Sequence, residues 1–253
     1  MSQGKRADIL LVERGLFESR ARAQAAIAAG LVTANGTPVR KAAELIAEGA
    51  LLIATPAHPY VSRGALKLIA ALDHFGFDPA GHVCLDVGAS TGGFTEALLA
   101  RGARRVYAVD VGRAQLHARL RAHAAVVALE QTDIRRLDPA RLDPTHPDPA
   151  HPGELPDFVT IDVSFISLKA VLPALDRLTR RPTQLIALIK PQFEAGKSKV
   201  RKGVVRDPAI HAAVCEEVAA CGTALGWDVI GIIPSPIEGG DGNREFLVAA
   251  RRT

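Results

Sequence analysis

The chain has 253 residues, of which 48% are hydrophobic and 23% are charged, so it can bury one large core and a smaller second one. This composition excludes a disordered chain and a fibre. Lys and Arg number 31 against 27 Asp and Glu, and the resulting charge of +4 suits a polyanionic partner without requiring one. The three cysteines are an odd number without metal-ligand spacing, so we expect reduced thiols in a cytoplasmic protein and no metal site. Apolar runs are too short to span a membrane and acids interrupt the first fifteen residues, so we expect neither a membrane segment nor a signal peptide.

The first fifty residues predict two short helices followed by a β-hairpin. The first helix should stop at Gly15, and Ser19 is placed to cap the start of the second, which Gly30 would end. Asn35 and Gly36 lie between two short apolar runs, which is a strong signal for a hairpin turn. The segment is therefore predicted to be a small α+β unit.

Four cations in this unit could face solvent or an RNA backbone. Arg20 and Arg22 fall in the first turn of the second helix, where cations oppose the helix dipole, and Arg6 and Lys41 are nearby in sequence. Charge alone leaves a solvated surface as the alternative. The pattern R-A-D-x-L-L-V-x-R-G-L-x-x-S-R, with a later N-G-x-x-V-x-K, resembles the αL (S4-like) RNA-binding domain. The resemblance implies that these four side chains contact RNA phosphates.

Two prolines in the segment 55–64 predict a short linker, with a boundary near Tyr60 and domains over 1–59 and 60–253. Beyond it, apolar strands alternate with helices, which predicts an α/β domain with a doubly wound, mostly parallel sheet. The stretch 139–156 holds six of the 16 prolines and predicts an irregular loop without chemistry. Helices are expected to begin near Gly92, Arg113, Leu168 and Asp207.

The first strand of this domain leads into a glycine-rich turn, and acids follow at the ends of the next strands. The spacing G-x-x-x-G-G differs from that of dinucleotide-binding folds. Each acid could be a helix N-cap, or together they could form one ligand crevice at the point where the strand order reverses. The sequence D-V-G-A-S-T-G-G-F, followed by V-D-V-G and T-D-I, resembles the S-adenosylmethionine pocket of Rossmann-like class I methyltransferases. The resemblance implies a cofactor site formed by Asp86, Gly88, Ser90, Gly92, Gly93, Phe94, Asp110, Asp133 and Ile134.

Two further polar residues end neighbouring strands on the same edge of the predicted sheet. Asp162 follows the fourth strand, in a sequence that has neither the cysteine of a pyrimidine C5-methylase nor the Pro-Pro-aromatic run of an amine methylase. Lys190 ends the fifth strand, and a lysine after an apolar strand needs a carboxylate partner. The pair is either a structural ion pair or part of an active site.

With Lys67 and Glu245, these residues resemble the Lys-Asp-Lys-Glu set of FtsJ-type ribose 2′-O-methyltransferases. The motifs V-S-R-G-A-x-K-L, D-V-S-F-I-S-L, K-P-Q-F-E and G-N-x-E-F extend the resemblance to the TlyA family over the whole chain. The resemblance implies cytidine 2′-O-methylation of ribosomal RNA. Lys190 would act as base or hydroxyl-orienting group, Asp162 would position it, and Lys67 and Glu245 would form an outer pair. Burial, the donor sulfonium and the second ammonium favour proton loss from Lys190, whereas Asp162 opposes it.

A basic run follows Lys190 and includes Lys199, Arg201 and Lys202. These side chains either belong to a solvated loop or bind RNA phosphates. Arg63 could also bind phosphate. Eight residues follow Glu245, fewer than the extension of family members that modify both subunits, which favours large-subunit rRNA and leaves small-subunit rRNA open. One alternative is a non-catalytic RNA-binding or ribosome-assembly factor that keeps the donor fold. Another is the haemolysin activity after which the family has been named, although no segment of this sequence is long and apolar enough to span a membrane.

Overall fold

The computed structural model describes residues 4–142, 155–239 and 242–253. Contacts between them divide the chain into a small unit that ends at Pro59 and a large unit that begins at Tyr60. Most of the proline-rich stretch expected to be a loop, residues 143–154, lies outside the described residues.

Over its described residues, 4–59, the small unit contains two helices and five short strands. Strands β3, β2 and β5 form an antiparallel sheet in that order, and β1 pairs with β4. Apolar side chains from both helices and the strands enclose a core of their own. The elements are β1 (Lys5–Arg6), α1 (Ala7–Glu13), α2 (Arg20–Ala28), β2 (Val32–Ala34), β3 (Thr37–Pro38), β4 (Leu45–Ile46) and β5 (Leu52–Ala54).

The turns of the small unit lie where the sequence predicts them. The side chain of Ser19 accepts a hydrogen bond from the amide of Arg22 and caps α2. Gly30 follows the end of this helix with a φ of 71°. Asn35 and Gly36 have φ angles of 50° and 77°, the left-handed pair that a two-residue hairpin requires. The predicted helix ends and hairpin are therefore confirmed.

The large unit consists of alternating strands and helices. Short 3₁₀ turns occur at Ile134–Arg136, Pro139–Arg141, Leu172–Ala174 and Lys197–Lys199. The regular elements are α3 (Gly64–Phe75), β6 (Val83–Val87), α4 (Gly93–Ala100), β7 (Arg105–Val109), α5 (Ala118–Arg121), β8 (Val126–Leu129), β9 (Phe158–Ile161), α6 (Leu168–Val171), α7 (Leu175–Leu178), β10 (Thr183–Ile189), α8 (Pro191–Glu194), α9 (Pro208–Ala224), β11 (Asp228–Pro234) and β12 (Phe246–Arg252).

The strands form a sheet in the order β11-β12-β10-β9-β6-β7-β8, in which β12 runs antiparallel to both of its neighbours. Two apolar clusters cover its two faces, so the central strands are buried on both sides. The chain leaves β6 toward β7 on one side and later places β9 on the other. This reversal opens a crevice at the carboxyl ends of the strands. The predicted doubly wound α/β architecture is confirmed.

The helix expected to begin near Arg113 is the main error in the predicted elements, because only the four-residue α5 forms there, starting at Ala118. The amides of Ala114, Gln115 and Leu116 donate to the carboxylate of Glu130. A side chain from the end of β8 therefore satisfies the amides that a helix would otherwise have used. The other expected helices begin within one residue of their predicted positions.

Candidate active site

Two adjoining cavities open at the carboxyl ends of the central strands. The large cavity has a volume of about 620 Å³ and the small cavity about 310 Å³. They share four lining residues, Gly88, Ser90, Asp162 and Ser164, which therefore mark the junction between them. A ligand in the large cavity would reach the small cavity only past these residues.

The turn after β6 passes very close to the end of β9. Gly88 has a φ of 83°, and a Cβ atom at this position would collide with the carbonyl oxygen of Asp162. Gly93 begins α4, and a Cβ there would collide with the hydroxyl of Ser62. Gly88 therefore requires glycine, because backbone atoms exclude a Cβ there, whereas at Gly93 the nearest atom belongs to a side chain that can rotate.

Asp110 follows β7 and lines the large cavity. Its carboxylate accepts hydrogen bonds from the amides of Ser90 at 2.8 Å and Gly112 at 2.7 Å. Each carboxylate oxygen has a second acceptor position, so the side chain is held in place and can still accept from a ligand hydroxyl. An acidic side chain at this place in an α/β sheet can accept a hydrogen bond from a ribose hydroxyl.

Asp133 and Ile134 line the far end of the large cavity. Asp133 accepts a hydrogen bond from the amide of Arg135 and so caps a 3₁₀ turn. Hydrogen bonds from the Arg135 guanidinium hold the pKa of Asp133 below its usual value. Asp133 is therefore both an N-cap and part of the cavity wall.

Two residues expected to bind the cofactor lie outside both cavities. Asp86 is completely buried in β6 and accepts hydrogen bonds from the hydroxyls of Thr95 at 2.6 Å and Thr160 at 3.0 Å. Its burial raises the pKa of Asp86 to about 7. Gly92 faces α5, where a Cβ would collide with Leu120. Direct contact of these two residues with the cofactor therefore stays a prediction, and in the structure Asp86 bonds to Thr95 of α4 and Gly92 packs on Leu120.

Gly93 and Phe94 also differ from the expected arrangement, because they line the small cavity rather than the large one. Arg63, expected to contact RNA, lines the same small cavity. Its guanidinium therefore belongs to the surroundings of the Lys190 side chain.

The four residues of the predicted tetrad form two ion pairs. Lys190 Nζ lies 2.6 Å from Asp162 Oδ1, and Lys67 Nζ lies 2.5 Å from Glu245 Oε2. Three of the four side chains, Lys67, Asp162 and Lys190, line the small cavity, and the fourth, Glu245, is buried behind Lys67.

Ser164 belongs to this arrangement and is missing from the sequence analysis. Lys190 Nζ donates a hydrogen bond to Ser164 Oγ at 2.9 Å. The contact between Lys190 and Asp162 is an ion pair without hydrogen-bond alignment, so Asp162 Oδ1 has no hydrogen-bond donor among the described residues. The only sequence signal for Ser164 is its position two residues after Asp162, within a motif already singled out.

Phe165 stands at the rim of the large cavity with its side chain almost fully exposed. Its backbone has a φ of 65°, an unfavourable conformation for a residue with a bulky side chain. Its ring lies 5.1 Å from that of Phe193, which follows β10. Sequence reasoning missed this residue because a phenylalanine after a strand is ordinarily expected in the core.

In the small unit, the structure brings together two of the four predicted RNA-binding cations. Arg6 Nε and an Arg20 terminal nitrogen lie 3.0 Å and 2.8 Å from the buried carboxylate of Asp8. Hydrogen bonds from Arg6, Gln24 and Arg20 hold the pKa of Asp8 well below its usual value. Both guanidinium groups remain about half exposed, so their other N–H groups can meet a phosphate.

The other two predicted cations of the small unit stand apart from the Asp8 cluster. Arg22 pairs with Glu18 at 3.4 Å, and Lys41 is exposed. In the large unit, Lys199, Arg201 and Lys202 are also exposed. They belong partly to a tight turn rather than to a featureless loop, because Arg201 and Val204 exchange backbone hydrogen bonds.

Neither a membrane-spanning helix nor a metal-binding cluster occurs in residues 4–142, 155–239 and 242–253. No helix there is long and apolar enough to cross a membrane. Nor does that part of the chain contain three or more His, Cys, Asp or Glu side chains grouped to hold a metal ion.

Comparison with protein-family models matches an FtsJ-like methyltransferase over residues 60–252 and an S4 domain over residues 5–52. The chain is 44% identical to the 16S/23S rRNA (cytidine-2′-O)-methyltransferase TlyA of Mycobacterium tuberculosis over 254 residues, covering 99% of this chain and 91% of that protein. It is 35% identical to Hemolysin A of Brachyspira hyodysenteriae, covering 96% of this chain and 98% of that protein. A solved structure described as a hemolysin from Streptococcus thermophilus has a TM-score of 0.76 and 42% identity, covering 100% of this chain and 90% of that one.

Proposed function

Because this chain belongs to the FtsJ-like methyltransferase family, we propose that it transfers a methyl group from S-adenosylmethionine to the 2′-hydroxyl of a cytidine in ribosomal RNA. The observation that carries the proposal is the Lys190–Asp162 pair at the junction of the two cavities. The 44% identity to the rRNA methyltransferase TlyA supports cytidine as the target. We place the reaction in the cytoplasm, on large-subunit rRNA first and on small-subunit rRNA as a second candidate.

The large cavity fits the methyl donor in size and in chemistry. Its volume of about 620 Å³ lies in the range of cofactor sites. Asp110 would accept the ribose hydroxyls, and Asp133 and Ile134 would flank the adenine. The exposed backbone of the turn from Gly88 to Ser90 would hold the methionine end at the junction. Bound S-adenosylmethionine supplies a methyl group on a positively charged sulfur.

The small cavity would receive the target ribose. A ribose hydroxyl is a weak nucleophile until its proton is removed or shared, and Lys190 is the group placed to do so. The ammonium donates to Ser164 and lies against Asp162, and these two contacts fix the direction of Nζ. Asp162 Oδ1 retains an open hydrogen-bond position that a ribose hydroxyl can fill. Fixing the nucleophile beside the methyl group contributes much of the rate enhancement.

The charges of the four tetrad side chains balance one another. Lys67 and Glu245 cancel each other, as do Lys190 and Asp162, so the four side chains are neutral together. Lys190 contacts two of the residues that line the junction, Asp162 and Ser164. We therefore assign Lys190 as base or hydroxyl-orienting group and Asp162 as the residue that positions it. Lys67 and Glu245 form the supporting pair.

Two surfaces would hold the RNA, one on each unit. On the small unit, Arg6 and Arg20 share the Asp8 carboxylate and present partly exposed guanidinium groups. On the large unit, Arg63 lines the small cavity, and an exposed basic segment follows β10. Phosphate contacts of this kind position an RNA without reading its sequence. The remaining proposed contacts are Arg22, Lys41, Lys199, Arg201 and Lys202.

The test uses purified protein, methyl-labelled S-adenosylmethionine and unmodified 23S and 16S rRNA transcripts. A 2′-O-methyl group removes the hydroxyl that alkali needs to cleave RNA, so the label should be recovered in alkali-resistant dinucleotides with cytidine on the 5′ side. Lys190→Ala should abolish this product. Lys169→Ala is the matched control, because Lys169 forms an ion pair of 2.6 Å with Glu217 outside both cavities.

Other outcomes of the same test would overturn the proposal. Label recovered in single nucleotides would place the methyl group on a base. RNA binding without any transfer would favour a non-catalytic assembly factor. Lysis of erythrocytes by the purified protein, without transfer, would favour the activity named in Hemolysin A of Brachyspira hyodysenteriae.

A further inference from the structure

The basic segment after β10 contains a two-residue hairpin, which we call the basic hairpin and define as residues 201–204. Arg201 and Val204 exchange two backbone hydrogen bonds, of 3.1 Å and 3.0 Å. Lys202 and Gly203 form the tip, with φ angles of 51° and 78°, the left-handed pair of a tight hairpin turn. Arg201 and Lys202 are exposed. Two cations are therefore presented on a defined backbone.

The side chain of Asn243 anchors the end of this hairpin. Asn243 is buried, and its Nδ2 donates to the carbonyl of Gly203 at 3.0 Å. Its Oδ1 accepts from the amide of Val205 at 3.3 Å. One side-chain amide thus takes the place of a neighbouring strand, with a donor and an acceptor facing the hairpin backbone. A ring nitrogen of His211 lies 2.9 Å from the carbonyl of Val205 and holds the next peptide group.

The same residue contacts the wall of the small cavity through its backbone. The carbonyl of Asn243 accepts from the amide of Gly239 at 2.9 Å. Gly239 lines the small cavity and packs so closely on the Glu245 carboxylate that a Cβ atom there would collide with it. Asn243 therefore joins the basic hairpin to the supporting pair of the tetrad.

We propose that Asn243 is a positioning residue for RNA binding, which fixes the basic hairpin so that Arg201 and Lys202 meet the phosphates beside the target nucleotide. The proposal rests on the proposed function, since it takes RNA as the ligand. Asn243 is uncharged and buried, so it offers no charge to RNA, and its side-chain amide bonds to the backbone of the hairpin and of Val205. Without the Asn243 side chain, the carbonyl of Gly203 and the amide of Val205 would lose their hydrogen-bond partners. They would then bond to water, and the hairpin would no longer be held in one conformation.

The experiment compares Asn243→Ala with Arg201→Ala/Lys202→Ala and with the wild type. Affinity for 23S and 16S rRNA transcripts is measured over a range of salt concentrations. Loss of two phosphate contacts should weaken binding about tenfold at 0.1 M salt, and the slope of log K against log salt should fall by about 1.5. Asn243→Ala should show most of both changes although it removes no charge. In methyl transfer, it should raise the KM for RNA about tenfold and leave kcat within about threefold.

Combining the variants tests whether Asn243 acts through the two cations. Adding Asn243→Ala to the double variant should cause little further loss, because the cations it positions are already absent. Thr179→Val is the control, since it removes a buried hydroxyl that donates to the carbonyl of Leu175 and accepts from the guanidinium of Arg252, outside both cavities. It should leave RNA affinity unchanged. Wild-type affinity for S-adenosylmethionine reports that a variant is folded, and Asn243→Ser replaces the alanine variant if that affinity is lost.

The results separate this inference from the proposed function. Suppose that Asn243→Ala keeps the salt slope and the KM of the wild type while the double variant clearly loses RNA affinity. That result would overturn the role of Asn243 and leave the role of the two cations standing. An equal fall in kcat at saturating RNA would also overturn it, because it would place the effect in the chemistry. No loss in the double variant would remove the basic hairpin from the RNA surface. Absence of methyl transfer by the wild type would instead contradict the proposed function itself.

Discussion

Replacing Asp86 with asparagine should flatten the pH dependence of stability between pH 5 and pH 7. Asp86 is completely buried beneath the glycine-rich turn, and this burial raises its pKa to about 7 in the folded protein. In the unfolded chain the same carboxyl should titrate near 3.9. Between these two values the folded protein holds a proton that the unfolded chain has released, so stability falls as the pH rises.

The magnitude follows from the same two pKa values. Each pH unit over which the folded state holds one extra proton changes the free energy of unfolding by about 1.4 kcal/mol. The carboxyl stays almost fully protonated to pH 6 and is half protonated at pH 7. Summed from pH 5 to pH 7, this is equivalent to one whole extra proton on the folded state over roughly 1.7 pH units. Asp86 should therefore reduce stability by about 2 kcal/mol between pH 5 and pH 7. Acids with lowered pKa values, such as Glu130 at about 2, change stability only below this range.

The assay is urea unfolding at pH 5, 6 and 7, followed by the fluorescence of Trp227. This is the only tryptophan in the sequence, and it is buried in the large unit. Histidines contribute equally to both proteins, so the difference between wild type and Asp86→Asn isolates the Asp86 carboxyl. The variant should also bind S-adenosylmethionine within a few-fold of the wild type, because Asp86 lines neither cavity. Equal pH slopes in the two proteins would show that the Asp86 carboxyl does not hold a proton in the folded protein over this pH range.

Two further substitutions test the site directly. Lys190→Ala should lower kcat at least 100-fold, as expected when a proton-transfer group is lost, and should change the Kd for S-adenosylmethionine less than threefold. Lys169→Ala should leave kcat and Kd unchanged. Single-turnover transfer measures the rate and isothermal titration the Kd, and a similar loss of rate in the two lysine variants would argue against the assignment. Gly88→Ala should lower cofactor affinity at least tenfold, because its Cβ would push against the carbonyl of Asp162. Gly226→Ala has a similar φ of 81° with open space around it, so equal losses in the two glycine variants would show that backbone strain alone is responsible.

The pairing of Lys190 with Asp162 could be predicted from the sequence because it depends on a local rule. The carboxyl ends of parallel strands meet at one edge of a sheet, so polar residues that end two neighbouring strands must lie close together. The sheet places β9 beside β10, and the two side chains form an ion pair of 2.6 Å. Ser164 was missed because its hydrogen bond depends on the path of a loop that no periodicity describes.

The difference between Asp86 and Asp110 could not be predicted, because both occur in the same tripeptide, Asp-Val-Gly. The register of the sheet separates them. Asp86 pairs with Ala108 inside the β6–β7 ladder, so Asp110 lies two residues nearer the crevice. One acid is therefore buried between strands and α4, and the other reaches the large cavity. This difference depends on the residue at which each strand ends, which the local amino-acid sequence does not specify.

The absence of the helix near Arg113 has a similar cause. Its sequence is compatible with a helix, but the amides of these residues donate hydrogen bonds to the carboxylate of Glu130, which follows β8. The amides are those of Ala114, Gln115 and Leu116. The basic hairpin is another case, since its anchor, Asn243, lies about 40 residues later in the sequence. Both features depend on hydrogen bonds between segments distant in sequence, which pattern and propensity do not detect.

Nucleoside mass spectrometry of ribosomal RNA tests the account most directly. The RNA would come from a bacterium that lacks the gene and carries either the wild-type protein or Lys190→Ala at equal abundance. If Lys190 handles the hydroxyl proton, 2′-O-methylcytidine appears with the wild type and stays at background with the variant. A methyl group on a base, or the same amount of methylated cytidine with both proteins, would contradict this mechanism.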